Sequence, residues 1–353
     1  MINLHELEAL ARERLDPGAF DYFAGGAADE LTLRDNRAGY DRLTLLPRVL
    51  AGLDGAHTAT TVLGVPVAFP ALVAPVAYQR VAHPDGELAL ARGAVAAGTT
   101  ICLSSLSNHP LEDVAAAAGD APLLFQLYPY ADRGMTADVV ARAQAAGFRA
   151  LLVTVDVAAH GLRERERRRG FSLPADCTLP CVPVPAGHDG PVTPADVSSW
   201  FAPNLGWRDI ERLRDATTMP IVLKGVLHPE DARIAADLGA AGVVVSNHGG
   251  RQLDGAPATI DALGAVAGAV GDRIEVLVDG GVRRGTDVVK ALARGARAVL
   301  VGRPAVWGLA TGGEAGVRDV LALLGEEIAV ALALCGCRAP EDARSLTVEP
   351  RPC

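Results

Sequence analysis

No stretch of this sequence is long enough and clean enough in apolar residues to span a bilayer. The apolar runs are Ala/Val-rich pieces broken by Gly and charge. An apolar leader is missing too, because Met1–Leu15 is charged throughout, unlike a signal peptide. These two absences raise the expectation of a cytoplasmic protein that avoids the membrane. Positive charge is in deficit: 33 Lys and Arg stand against 42 Asp and Glu, a formal net charge of -9, which argues against a nucleic-acid surface. The cysteines are few and scattered, at Cys102, Cys177, Cys181, Cys335, Cys337 and Cys353. Cys177, Cys181 and His188 lie loosely together but meet no standard zinc spacing, so reduced thiols and no metal are expected. No GxGxxG follows a first strand, which weighs against a doubly wound dinucleotide fold.

What is present is a beat. From Pro70 onward an apolar run, a polar loop and an Ala-rich helical stretch recur. The runs cover residues 70–76, 99–105, 123–128, 150–156, 221–226, 242–248, 276–281 and 298–304. Helical patterns fall between most of them, at 86–97, 112–118, 137–146, 229–238, 260–270 and 285–293. Eight strand–helix units predict an α/β protein with a (β/α)8 barrel, over about 70–310, in a single domain of 353 residues. Residues 1–69 read as a helical and β-prone preamble. Asn3 caps a first helix, Pro17 opens a second that Gly25-Gly26 ends, and 41–69 cover the barrel bottom. One connection breaks the beat: residues 157–206, with several prolines and the basic run 163–169, form a long lid after the fourth strand. After Pro304 the chain reads as helix to about Leu334 and then trails off.

The stretch 243–261, VVVSNHGGRQLDGAPATID, organises the candidates for chemistry. A buried strand, 242–246, ends in His248, two glycines and Arg251, a base and a fixed cation at a strand's carboxyl end. Asp156, ending the fourth strand, could orient that imidazole. The seventh and eighth units end in DGGVRRG and VGRP, where Gly280, Gly281 and Gly302 free backbone amides and Arg283 and Arg303 add charge. Barrels often bind phosphate there. Lys224 interrupts an apolar strand, which suits either a Schiff-base nucleophile of an aldolase-type barrel or a donor to an electron-accepting ring. Ser104, Gln126 and Thr154 offer neutral donors and acceptors at other strand ends, each alone more ordinary as a satisfied core polar group.

The segments SNHGGRQLDGAPATI, DGGVRRGTDVVKALARGA, VGRP, FQLY, TVD, LKGV and APVAYQRVAHPDGE together resemble the FMN-dependent 2-hydroxy acid oxidases over essentially the whole chain. That family includes glycolate, lactate and mandelate-oxidising enzymes, and the last segment is most similar to bacterial 4-hydroxymandelate oxidases. The resemblance implies FMN as cofactor. His248 would be the base, supported by Asp156. Tyr22, Arg163 and Arg251 would bind the substrate carboxylate, and Tyr128 the substrate hydroxyl. The flavin ring would meet Pro75, Val76, Ala77, Ser104, Gln126, Thr154 and Lys224. Ser246 would lie along the ribityl chain, and Asp279, Gly280, Gly281, Arg283, Gly302 and Arg303 would hold the phosphate. Leu106 stands where plant glycolate oxidases carry tryptophan, implying a wider pocket and an aryl or bulky substrate. Ala77 favours the oxidase branch, with oxygen as electron acceptor and hydrogen peroxide and a 2-keto acid as products. Arg168-Arg169-Gly170 replaces an asparagine that often follows the basic run, a departure that bears on lid closure. The alternatives are a lactate or glycolate oxidase and a dehydrogenase serving another acceptor. The latter would need a membrane-binding apolar insert in the lid, and 157–207 are mostly small, charged or proline. A flavin-binding barrel without turnover is a further class. The family's habit implies a homo-oligomer, a tetramer.

Overall fold

In the computed structural model, residues 3–185, 187–188 and 194–351 are described, so Cys353 and lid residues 186 and 189–193 lie outside the described residues. Eight parallel strands form the centre: β1 (Ala71–Val73), β2 (Cys102–Ser104), β3 (Leu124–Leu127), β4 (Leu151–Thr154), β5 (Ile221–Val226), β6 (Gly242–Val245), β7 (Glu275–Asp279) and β8 (Ala298–Val301). Each pairs with its sequence neighbour and β8 pairs with β1. A parallel bridge between Val73 and Ile101, with the Val73 N–H donating to the Thr100 carbonyl at 3.0 Å, joins β1 to β2 and closes the ring. The sheet is therefore the expected (β/α)8 barrel, with helices on its outer face.

The strands are buried on both faces, so their outer and inner residues are alike apolar and no alternation shows in the sequence. The two-residue repeat of a strand still sorts them. One set, including Leu72, Cys102, Leu124, Leu152, Val222, Val244, Leu277 and Leu300, fills the barrel interior as its own cluster. Val62, Val65 and Val67 belong to the same cluster. They come from the antiparallel pair Thr60–Val62 and Val65–Val67, which plugs the amino-terminal end. Continuing the inward register by two residues gives Ser104, Gln126, Thr154, Lys224, Ser246 and Asp279. The core thus turns polar at its carboxyl-terminal end.

The preamble behaves as the sequence suggests. Asn3 caps the helix Glu6–Arg14, its Oδ1 accepting from the Glu6 N–H at 3.1 Å while its Nδ2 donates to Glu6 Oε1 at 2.8 Å. Pro17 opens the helix Pro17–Ala24, with Asp16 as its cap. The helix Leu31–Asp41 follows and reaches the loop after β6, where Asn36 and Asn247 exchange two amide bonds of 2.8 Å. The end of the chain departs from expectation. Beyond the helix Arg303–Leu334, which kinks at Gly312 and Gly313, residues 347–350 are not coil. They form the strand Thr347–Pro350, antiparallel to Leu43–Leu46. An isolated TVEP stretch carries no strand signal of its own; its partner, some 300 residues away, supplies it. No helix among the described residues is long and apolar enough to cross a membrane.

Candidate active site

The polar rim of the barrel floors a cavity of about 570 Å³, within the range of small-molecule sites. All the sequence-predicted site residues except Asp156 and Ser246 line it. Those two lie directly behind it. Ser246 is fully buried, accepts from Lys224 Nζ at 3.0 Å and from the His248 N–H at 3.1 Å, and so is not on the wall.

After β6 the backbone turns sharply. His248, Gly249 and Gly250 have φ of 58, 64 and 76, three successive residues in the left-handed region. A side chain at Gly250 would place its Cβ 2.6 Å from the backbone of Leu33, so glycine lets the preamble helix press against the turn. His248 is no glycine, and its positive φ is a strained conformation that surrounding packing maintains. The turn aims the imidazole at the cavity, with Nδ1 3.1 Å and 3.3 Å from the two Asp156 oxygens. Burial, with Lys224 and Arg163 nearby, lowers the His248 pKa even against the opposing pull of Asp156. Burial works against ionisation of Asp156, but the bond to His248 and the charge of Lys224 outweigh it and hold that carboxyl below its usual range. At neutral pH this is a carboxylate beside a neutral imidazole. The proton then sits on Nδ1 and the Nε2 lone pair is free for the cavity.

Around this pair stand the cations. Arg251 donates through Nη1 to the carbonyls of Tyr22 and Gly25, lies over the Tyr22 ring at 5.0 Å, and donates through Nη2 to Glu166 at 2.9 Å. Arg163 reaches Glu166 at 3.7 Å. Burial raises the hydroxyls of Tyr22 and, to about 12, Tyr128, so both remain protonated donors. Lys224 pairs with Asp279 at 2.9 Å, and that neighbour, with Asp156, outweighs burial and keeps the ammonium charged. Gln126 ties the rim together, donating to Thr154 Oγ1 at 2.9 Å and accepting from Ser104 Oγ at 3.2 Å.

At the other end of the cavity lie Gly280, Gly281, Arg283, Gly302 and Arg303. Arg303 donates only to carbonyls, of Phe23, Gly249 and Gly25, at 2.9–3.0 Å, and burial pulls its pKa down to about 9. Burial lowers Arg283 as well, and its guanidinium donates to the Val282 carbonyl. Neither guanidinium pairs with a carboxylate among the described residues. Two desolvated cations beside glycine amides fit an anionic group of the phosphate kind. The buried Oδ1 of Asp279 has no hydrogen-bond partner among the described residues, which suits a hydroxyl donor such as a ribityl chain. The residues present therefore fit an FMN-sized group.

The sequence reading missed several wall residues. Phe171 stacks on Tyr22 and Phe201 on Tyr128, both at 4.6 Å, and both come from the lid. Tyr78, His160 and Glu166 also line the cavity. Glu166 sits inside what reads as a basic run, three residues after Arg163; that helical spacing was the available signal. The lid is seated despite its missing asparagine. Its helix Glu164–Arg169 is held by Arg165 to Glu30 at 2.8 Å and Arg169 to Asp21 at 3.0 Å.

A family profile described as FMN-dependent dehydrogenase matches residues 11–350. The chain is 49% identical over 350 residues to an L-lactate oxidase of Nostoc sp., covering 97% of this chain and 96% of that one. It is 45% identical over 341 residues to the glycolate oxidase of Spinacia oleracea, covering 95% and 92%. Among solved structures, a mandelate oxidase bound to (S)-4-hydroxymandelic acid superposes with a TM-score of 0.94 at 44% identity, covering 99% of both chains.

Proposed function

Because the chain belongs to the FMN-dependent dehydrogenase family, with FMN as its cofactor, we propose that it oxidises an (S)-2-hydroxy acid, mandelate or 4-hydroxymandelate, to the 2-keto acid, while O2 is reduced to H2O2. The observation that carries this reading is the neutral His248, braced by Asp156, in one cavity with the guanidinium groups of Arg163 and Arg251. A 2-hydroxy acid needs that combination: a grip on its carboxylate and a base at the adjacent carbon. FMN, when bound, would supply the two-electron acceptor that oxygen would then reoxidise.

The chain's own residues do the rest. Arg163, Arg251 and the Tyr22 hydroxyl hold the carboxylate. Tyr128 donates to or accepts from the substrate hydroxyl. His248 Nε2 takes a proton from the substrate as the carbon is oxidised, and Asp156 steadies the imidazolium that results. Lys224 stays cationic and would favour negative charge on a bound flavin. Pro75, Val76, Ala77, Ser104, Gln126 and Thr154 bound the ring, Asp279 the ribityl hydroxyls, and Gly280, Gly281, Arg283, Gly302 and Arg303 the phosphate.

The aryl preference rests on Leu106, Phe171 and Phe201, a carbon-rich wall in which Leu106 leaves room for a ring. Relatives bearing lactate, glycolate and mandelate oxidase names make the substrate a measurable choice. Stopped-flow mixing of the yellow protein with glycolate, lactate, mandelate and 4-hydroxymandelate, following flavin bleaching and peroxide, tests it. Fastest bleaching by the two aryl acids, with stoichiometric peroxide on reoxidation, is expected. Faster bleaching by lactate or glycolate would overturn the aryl assignment, and reoxidation without oxygen uptake the oxidase one. We also propose a cytoplasmic homo-oligomer, a tetramer. Its support is the exposed apolar pair Val49 and Leu50, 82% and 101% exposed, beside Arg48, whose N–H donates to the Cys335 carbonyl just past exposed Leu334.

A further inference from the structure

Glu166 is the one carboxylate on the lid side of the cavity wall, and both of its side-chain partners among the described residues are arginines of that wall. It accepts from Arg251 Nη2 at 2.9 Å and stands 3.7 Å from Arg163 Nη1. Its side chain is 19% exposed and that of Arg251 13%, so the pair is only weakly screened. The other terminal nitrogen of Arg251, Nη1, is committed to the carbonyls of Tyr22 and Gly25. Two positive charges thus meet one built-in negative charge where the substrate's carboxylate is to bind.

We propose that Glu166 sets the charge of the acid this site accepts: it cancels one guanidinium and so restricts the site to substrates bearing a single carboxylate, rejecting 2-hydroxy dicarboxylates. The proposal rests on the assignment of Arg163 and Arg251 to the substrate carboxylate. Its physics is Coulomb's law at short range in a half-dry site. A monoanion meets the repulsion of Glu166 once and the attraction of two arginines. A dianion meets that repulsion twice, while Glu166 has already cancelled one of the two arginine charges that grip its first carboxylate. Glu166 is therefore a specificity residue acting through charge, with no part in bond breaking.

The test uses the FMN-loaded protein and two unreactive anions, acetate and malonate, which share a carboxymethyl group and differ by one carboxylate. Binding is read from perturbation of the flavin absorption band and from titration calorimetry on the same sample. Glu166→Gln keeps an acceptor for Arg251 and removes the charge. Its malonate affinity is expected to rise on the order of tenfold more than its acetate affinity. Glu166→Ala, which also lacks the acceptor, is expected to shift the malonate-to-acetate ratio in the same direction. Equal changes for the two anions would overturn the charge role. Equal weakening of both would make Glu166 a mere prop for Arg251, and overturn it too. A separate result speaks to the underlying assignment: if Arg251→Met leaves acetate binding unchanged, the arginine does not hold the carboxylate.

Discussion

At the residue scale the proposed chemistry rests on a neutral imidazole, and three predictions follow from its surroundings. His248→Ala is expected to retain bound FMN and to abolish bleaching of the flavin by anaerobic substrate; normal bleaching in that variant would refute the base assignment. Asp156→Asn removes the charge that steadies the protonated ring and is expected to slow bleaching by roughly 10²–10⁴ without loss of FMN. Since burial lowers the His248 pKa, kcat/KM is expected to rise through an acidic limb below pH 6.5 and to be flat above it; an acidic limb centred above pH 7 would contradict the assignment. Glu87 offers a pH dependence of another kind. Fully buried, it accepts from the N–H groups of Gln79 and Asn108, each at 3.1 Å, and burial raises its pKa to about 7 despite those bonds. A carboxyl whose folded pKa exceeds its unfolded one holds its proton more tightly when folded. Its contribution is whole below pH 4.5 and is lost as pH rises toward 7. Thermal melts of Glu87→Gln and the parent are therefore expected to diverge across that window; parallel curves would show that Glu87 does not titrate there. His248 and Arg251 were legible from the sequence because a strand end fixes where they point. Glu166 and Phe171 were not, because the lid has no strand to fix them.

At the scale of elements, the strands were easier to find than to orient. Runs such as 242–248 announce a buried strand, but with both faces covered nothing in composition says which residues look inward. The answer lies in the break of character at each run's end. Ser104, Gln126, Thr154, Lys224 and Asp279 interrupt apolar runs because they stand on the inward register where the core gives way to a site. Thr347–Pro350 was illegible for the opposite reason: its strand partner among the described residues is Leu43–Leu46, and no local pattern encodes a pairing that distant. The phosphate end tests the same logic. Gly281 has φ of 83, and a Cβ there would fall 2.0 Å from the Asn36 carbonyl. Gly281→Ala is expected to force the turn away from the preamble helix and to yield protein low in FMN, read from the ratio of flavin to protein absorbance. Arg303→Met is expected to weaken FMN about 10- to 150-fold, the loss of a charged hydrogen bond of about 1.5–3 kcal/mol.

On the scale of the whole molecule, a valine hairpin stops one end of the barrel and a charged lid covers the other. The preamble, the lid and the loop after β6 converge on the same mouth, and that convergence, unlike the barrel itself, could not be read from a repeating beat. Val49 and Leu50 are exposed and line no part of the cavity. Sedimentation velocity is expected to give about four times the chain mass, and Val49→Asp with Leu50→Asp to shift it to smaller species that keep their flavin. A monomer in the parent protein would leave the exposed pair without that role.

The exchange of amide bonds between Asn36 and Asn247, and the contact of Asn36 with Gly281, set an order on the life of the chain. The helix bearing Asn36 is among the first parts synthesised, yet the turns it braces are made more than two hundred residues later. On the ribosome that helix waits with its inner face uncovered, and with the phosphate held as proposed the flavin has no complete berth until Arg303 has emerged. On that assignment capture of the cofactor belongs to the later part of biosynthesis, because a nascent chain halted short of β8 lacks Gly302 and Arg303 as well as the strand that closes the barrel.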